Sequence, residues 1–210
     1  QKVADFIELC SQLRFQIRWS QTPRIPRTSV LGHSMFVASA SYFITRDNKP
    51  CPRRLYNNFF GGLFHDLPET VTRDIIHPVK SSSEDFEAII HNLEQELAEK
   101  EIYPLLESSW IDEIRYFTRD EFLNKIIIDG KICTIDSVEE ISEKYNKDEY
   151  SPYDGKIIRA ADHLGAYLEA KSSIDFGIRS EDLTSAIETI RNNYRIKIGN
   201  VDFLRIYDGL

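Results

Sequence analysis

The side chains best suited to chemistry in this sequence are a few polar groups set into apolar helical runs. His33 lies in LGHSMFVA, where Phe36 and Val37 follow three and four places on, so its imidazole shares their apolar face. His65 and Asp66 are adjacent at the end of the aromatic run in FGGLFHDLPET. An imidazole and a carboxylate are costly to bury there without a partner, and a divalent metal suits both. Asp162, in IIRAADHLGAYLEA, is four places after Ile158 and three before Gly165, beside or within another buried stripe. Taken one at a time, each has a plainer reading. His33 reads as a hydrogen-bonded core histidine, Asp66-x-x-Glu69 with Pro68 as a capping box, and Asp162 as the partner of an arginine or a backbone group. Taken together, two histidines and two aspartates on three apolar helices form the arrangement by which helical bundles build a metal centre. One ion held there would acidify bound water. Glu69, three places past Asp66 and four past His65, would overhang it as a proton shuttle.

The elements that must carry these residues follow from periodicity. Val3, Phe6, Ile7, Cys10 and Leu13 predict a first helix with Cys10 buried. After the proline-containing stretch 21–27, Phe36, Val37, Ala40, Phe43 and Ile44 predict a second. Leu55, Phe59, Phe60, Leu63 and Phe64 mark the inward face of a third. Phe86, Ile89, Ile90, Leu93 and Leu97 predict a long fourth helix, and Trp110, Ile114 and Phe117 a short fifth. Between Lys125 and Ile135, β-branched residues flank Asp129-Gly130, the signal of a hairpin with a tight turn. Residues 148–155 read as an exposed loop. Helical spacing returns in Ile157, Ile158, Ala161, Leu164, Gly165 and Leu168, with His163 turned to solvent, and again in Leu183, Ala186, Ile187, Ile190 and Tyr194. The expected fold is all-α, a helical bundle with a small β-hairpin insertion. It forms one domain over 1–210, the insertion occupying about 125–150.

Composition narrows the function classes. The 210 residues, 41% hydrophobic and 29% charged, suffice for one well-filled core or at most two small ones. A net charge of −8 disfavours nonspecific nucleic-acid binding and anionic membrane surfaces. No apolar run reaches the roughly 20 residues that span a bilayer. Cys10, Cys51 and Cys133 are too few and too scattered for a disulfide framework. With no basic-then-apolar leader ahead of the first helix, a reducing cytoplasm is the expected setting. The chain opens on Gln1 rather than Met, as a trimmed chain or a piece of a longer protein would.

The order His33, His65-Asp66, Asp162 resembles that of the HD-domain metal-dependent phosphohydrolases. The runs QIRWS, RTSVLGHS, HDLPETVTRDIIHPVK and RAADHLGAYLEA look like the bacterial 5′-deoxynucleotidase branch of that superfamily, over about residues 13–100 and 155–172. The most specific part is HD-x-x-E followed by T-x-D-x-x-x-PVK and AD-x-x-x-AYL. The resemblance implies an HD-domain bundle with one divalent transition ion (Co, Mn, Fe, Ni or Zn) on His33, His65, Asp66 and Asp162. It implies that Glu69 is the acid/base acting on the attacking water and that Arg18 orients the phosphate through its bidentate fork. It further implies that Trp19 packs against the sugar and disfavours a 2′-hydroxyl, and that Asp74, Ile75, Ile76 and His77 contact the sugar. Without the resemblance, Arg18-Trp19 reads as a helix-end cation beside a core anchor, Asp74 as a turn former before Pro78, and Lys80 as an exposed residue. The sequence departs from the branch in three places. Gly32 stands where Glu is common, His77 where a small hydroxyl residue is usual, and the segment from 125 to about 150 has no counterpart in the short bacterial enzymes. The implied activity is hydrolysis of a nucleoside 5′-monophosphate, a deoxynucleotide in particular, by a homodimer whose partner is a small nucleotide. The alternatives are a hydrolase of (p)ppGpp, a deoxynucleoside triphosphate or a cyclic nucleotide, and a nucleotide- or metal-binding module without turnover.

Overall fold

The computed structural model describes residues 2–72 and 84–210. Its α-helices of four residues or more are α1 (Lys2–Ser11), α2 (Val30–Arg46), α3 (Pro52–Phe64), α4 (Glu69–Thr72) and α5 (Glu84–Leu97), then α6 (Ser108–Thr118), α7 (Gly155–Asp175), α8 (Glu181–Asn193) and α9 (Phe203–Gly209). Strands β1 (Asn124–Ile128), β2 (Lys131–Thr134) and β3 (Tyr153–Asp154) form an antiparallel sheet in the order β2-β1-β3. A second ribbon pairs β4 (Lys197–Ile198) with β5 (Val201–Asp202). The fold is mostly helical with a few small antiparallel strands. α2 packs on α3 and α7, α3 also meets α7, and α8 packs on α7. No helix among the described residues is long and apolar enough to cross a membrane.

The α2–α3 seam is built from small and polar residues, contrary to the expected aromatic one. α3 buries Arg54, Asn57, Asn58, Gly61 and Gly62, while Leu55, Phe59, Phe60, Leu63 and Phe64 are only partly buried. A Cβ on Gly62 would lie 2.9 Å from the Ala38 Cα, so glycine is what lets the two backbones meet. The bulky rings lie beside the seam: Phe60 and Phe64 stack on the buried Phe117, while others reach the surface. Phe43 is 67% exposed there and lines a surface groove with Tyr42, Tyr56, Phe59 and Phe60. Amide nitrogens on the seam find partners: Asn58 Nδ2 donates to Thr45 Oγ1 of α2 (2.7 Å) and to Asp154 Oδ2 (2.6 Å), and Asn57 Nδ2 to the Pro152 carbonyl (2.9 Å), while Asn57 Oδ1 and Ser41 Oγ are buried without a hydrogen bond among the described residues.

Other elements depart from expectation for similar reasons. α1 has no fully buried residue and Cys10 is half-buried, because the helix lies on the outside of the bundle with Phe6, Leu9 and Cys10 against the core. On α5 Ile90 is buried while Ile89 and Leu93 are exposed, and the side chain of Phe86 lies outside the described residues. On α6 Ile114 and Phe117 are buried and Trp110 is exposed. The hairpin forms in the register Lys125↔Thr134 to Ile128↔Lys131, turning on Asp129 (φ 51°) and Gly130 (φ 73°) as a two-residue loop with both φ positive requires. The segment 148–155 is an exposed loop only at its start: Asp148 and Glu149 are exposed, whereas Pro152, Tyr153, Asp154 and Gly155 are buried. Tyr153 and Asp154 pair with Lys125 and Asn124 of β1, and Asp154 meets Arg54.

Candidate metal centre

Three local structures bring the polar residues to one place. Ser29 caps α2 by accepting a hydrogen bond from Gly32 N (3.1 Å), which sets His33 in the first turn. α3 ends at Phe64, and the turn that follows carries His65 and Asp66 inward before α4 starts at Glu69. On α7, Asp162, Gly165 and Glu169 share one face at spacings of three and four. A Cβ at Gly165 would lie 3.0 Å from Nδ1 and Cε1 of His33, so glycine there makes room for the ring. Arg18 arrives from a separate strand-like segment. Ile17 bridges Ser29, and Arg18 N donates to the Thr28 carbonyl (3.0 Å).

Nitrogen and oxygen atoms of His33, His65 and Asp66 lie within 4.8 Å of one another. The His33 and His65 ring centroids are 5.5 Å apart. His65 Nδ1 donates to the Gly62 carbonyl (2.9 Å), which leaves Nε2 as the nitrogen turned to the cluster. That Nε2 lies 3.2 Å from Asp66 Oδ1. Asp162 sits outside the three-residue group but close to it, its Oδ1 2.8 Å from His33 Nε2. The Arg18 guanidinium spans the carboxylates, with contacts of 3.7 Å to Asp66, 3.9 Å to Asp162 and 3.3 Å to Glu169.

Charge and hydrogen bonding both leave room for a cation. With neutral imidazoles, the three carboxylates of Asp66, Asp162 and Glu169 outweigh Arg18 by two negative charges, which a divalent ion would offset. His65 Nε2 and Asp66 Oδ2 are buried and make no hydrogen bond among the described residues. Such atoms are costly to leave unpaired, and imidazole nitrogen with carboxylate oxygen is a donor set for first-row transition ions. The residues therefore fit a divalent metal. Without a metal, a proton on His65 offsets part of this charge. Burial would push His65 down, but the carboxylates of Asp66 and, further off, Asp162 outweigh it and raise it to about 9. Burial likewise opposes ionisation of Asp66 and Asp162, yet the histidines and Arg18 hold both well below the usual carboxylate range. A cation on His65 must displace a proton that the same field retains.

The sequence-selected residues divide into three groups. His33, His65, Asp66, Asp162 and Arg18 are brought together. Glu69 lies in the turn beside them, where its charge reaches Arg18, and its carbonyl accepts from Gln16 Nε2 (3.2 Å). The Asp66 side chain faces the cluster, while the turn at Glu69 is closed by backbone, Glu69 N donating to the Asp66 carbonyl (3.0 Å). Trp19, at φ 58°, donates its Nε1 to Glu169 Oε2 (2.8 Å). Asp74, Ile75, Ile76, His77 and Lys80 lie outside the described residues. His163 is not turned to solvent as expected: it is half-buried, with Nδ1 2.8 Å from the Tyr194 hydroxyl. Glu169 was not selected from the sequence, although its place seven residues past Asp162 puts it on the same face of α7. Phe122, just before β1, lies between the ring of His65 (6.2 Å) and the guanidinium of Arg159 (5.5 Å).

Comparison with known proteins bears on this arrangement. The family model described as HD domain matches residues 10–191. The crystal structure of an HD-domain phosphohydrolase from Listeria innocua has a similar fold, with a TM-score of 0.73 and 16% identity over 97% of this chain and 86% of that one. No curated protein matches the chain.

Proposed function

The chain belongs to the HD-domain family, and on that premise we propose that it is a metal-dependent phosphohydrolase releasing phosphate from a nucleoside 5′-monophosphate, with deoxyribose favoured. The observation that carries this reading is the convergence of His33, His65 and Asp66 within 4.8 Å, with two buried atoms, His65 Nε2 and Asp66 Oδ2, that make no hydrogen bond among the described residues, directly beside Arg18. His33, His65, Asp66 and Asp162 would hold the ion, which when bound polarises a phosphoryl oxygen and lowers the pKa of water. Arg18 would grip the phosphoryl oxygens with the edge of its fork not turned to Glu169 and offset charge that builds in the transition state. Glu69 would take the proton of the attacking water and return it to the leaving ribose oxygen. Trp19, held by Glu169, would border the sugar, with Asp74, Ile75, Ile76 and His77 supplying further contacts. Partner and setting follow from the same reading: a small nucleotide rather than nucleic acid or a membrane, a homodimer, and the cytoplasm.

The test is a nucleotide panel with chelator-stripped protein reloaded separately with Mn, Co, Fe, Ni and Zn. Phosphate release from 5′-deoxynucleoside monophosphates is expected, with little from ribonucleotides. Release of pyrophosphate or triphosphate, opening of a cyclic phosphodiester, or binding without hydrolysis would overturn the assignment.

A further inference from the structure

We propose that Glu169 is a positioning residue that selects the ring tautomer of His33 while anchoring Arg18 and Trp19. The two oxygens of this carboxylate, 10% exposed, face different groups: Oε2 accepts from Trp19 Nε1 (2.8 Å) and Arg18 Nε (3.3 Å), and Oε1 lies 3.7 Å from His33 Nδ1. His65 shows what a ligand histidine needs. Its Nδ1–H is held by the Gly62 carbonyl, so its Nε2 lone pair is the one turned to the cluster. Among the described residues His33 has no carbonyl in that role. Its Nε2 meets the Asp162 carboxylate at 2.8 Å, a contact that places a proton on Nε2, while its buried Nδ1 makes no hydrogen bond among the described residues. For Nε2 to bind a cation, the ring proton must sit on Nδ1, and Glu169 Oε1, at 3.7 Å just beyond hydrogen-bond reach, is the carboxylate oxygen that a small shift would bring onto it.

The same residue then links two tasks. Trp19 and Arg18 come from the segment before α2, and Glu169 stands on α7, so one carboxylate sets the substrate-facing side chains and a ring in the ligand cluster together. Glutamine at this position separates them. If its carbonyl oxygen serves Trp19 and Arg18, its amide nitrogen faces His33 Nδ1 and donates to it, which favours the Nε2–H tautomer that cannot ligate.

This inference rests on the proposed metal centre, so the experiment reads Glu169 in two ways, one of them independent of metal. Wild type and Glu169→Gln are compared by chelator competition with Mn²⁺ and by nitrogen-15 spectra of the histidine rings and indoles, with Glu169→Asp as a second variant that keeps the charge. Glu169→Gln is expected to weaken Mn²⁺ about 10- to 100-fold. It should also move His33 toward the Nε2–H form in metal-free protein and shift the Trp19 indole signal, with the exposed Trp110 signal fixed. Glu169→Asp should recover part of the Mn²⁺ affinity. Unchanged Mn²⁺ affinity with unchanged His33 nitrogen signals in the Gln variant would overturn the proposal. Failure of the wild type to take up Mn²⁺ or any other ion would instead overturn the metal centre, while the indole signal would still report on the Glu169 anchor.

Discussion

α3 connects two clusters of buried charge that have been completed in different ways. Near its first turn, Arg54 is wholly buried and donates through Nε and Nη2 to the two oxygens of an equally buried Asp154, both at 2.7 Å. Its Nη1 donates to Ser142 Oγ (3.0 Å) and Nη2 also reaches the Val138 carbonyl (3.4 Å), while Asn58 gives Asp154 a further hydrogen bond. Just past the other end of the helix, eleven residues or about 16 Å on, His65 Nε2 and Asp66 Oδ2 make no hydrogen bond among the described residues, and are met instead by ion-pair contacts of 3.2 Å to Asp66 Oδ1 and 3.7 Å to Arg18 Nη1. A saturated network fixes structure: this one ties residues 138–154 and the β1–β3 sheet to the helix that carries the centre. An unsaturated one has a cost that persists only if something else completes it. Single buried atoms without a hydrogen bond occur elsewhere among the described residues, Asn57 Oδ1 and Ser41 Oγ on the α2–α3 seam included; what marks the second cluster is an imidazole nitrogen and a carboxylate oxygen left so together, a donor set for a cation.

The sharpest way to exploit the contrast is to change one group at each end. At the open end, Glu69→Gln should cut turnover by about 10²–10⁴-fold while metal content and thermal midpoint stay as in the wild type. Turnover near that of the wild type would remove Glu69 from the mechanism. At the closed end, Arg54→Met leaves Asp154 as a buried unpaired carboxylate and should cost about 3–5 kcal/mol of stability. In a chain of this size that lowers the midpoint by roughly 6–20 °C. A midpoint within a degree or two of the wild type would show that the Arg54 network is not structural.

A smaller effect comes from pH and appears only at the open end. In metal-free protein His65 is raised to about 9, above its ordinary value near 6.5. The stability it contributes is complete below about pH 6.5 and lost as pH rises through about 9. Asp66 and Asp162 are held low, so their contribution is present above about pH 3.9 and lost as acid protonates them. The thermal midpoint of stripped protein should therefore decline from about pH 6.5 toward 9, and His65→Gln should flatten that decline. An alkaline limb unchanged by the substitution would contradict the assigned protonation.

The same contrast explains what was legible in the sequence. The hairpin could be read because its cause is local, two adjacent residues that tolerate positive φ between β-branched runs. His33, His65, Asp66 and Asp162 could be selected because polar groups in apolar stripes are conspicuous. The buried face of α3 could not be read. Arg54, Asn57 and Asn58 resemble an exposed helix surface until Asp154 and Pro152, more than ninety residues away, turn that face into the core. Asp154 itself passed for a loop residue for the mirror-image reason. Glu169 had a usable signal, its spacing from Asp162, but one glutamate near the end of a charged helix resembles any solvated residue until Trp19 and Arg18 are seen to meet it.

The central claim is that buried atoms at the end of α3 are completed by one cation. Calorimetric titration of chelator-stripped protein with Mn²⁺, in parallel with Asp66→Asn, tests it most directly. One equivalent taken up with proton release by the wild type, and none by the variant, is the predicted result. No uptake by the wild type, or uptake that the variant retains, would contradict it.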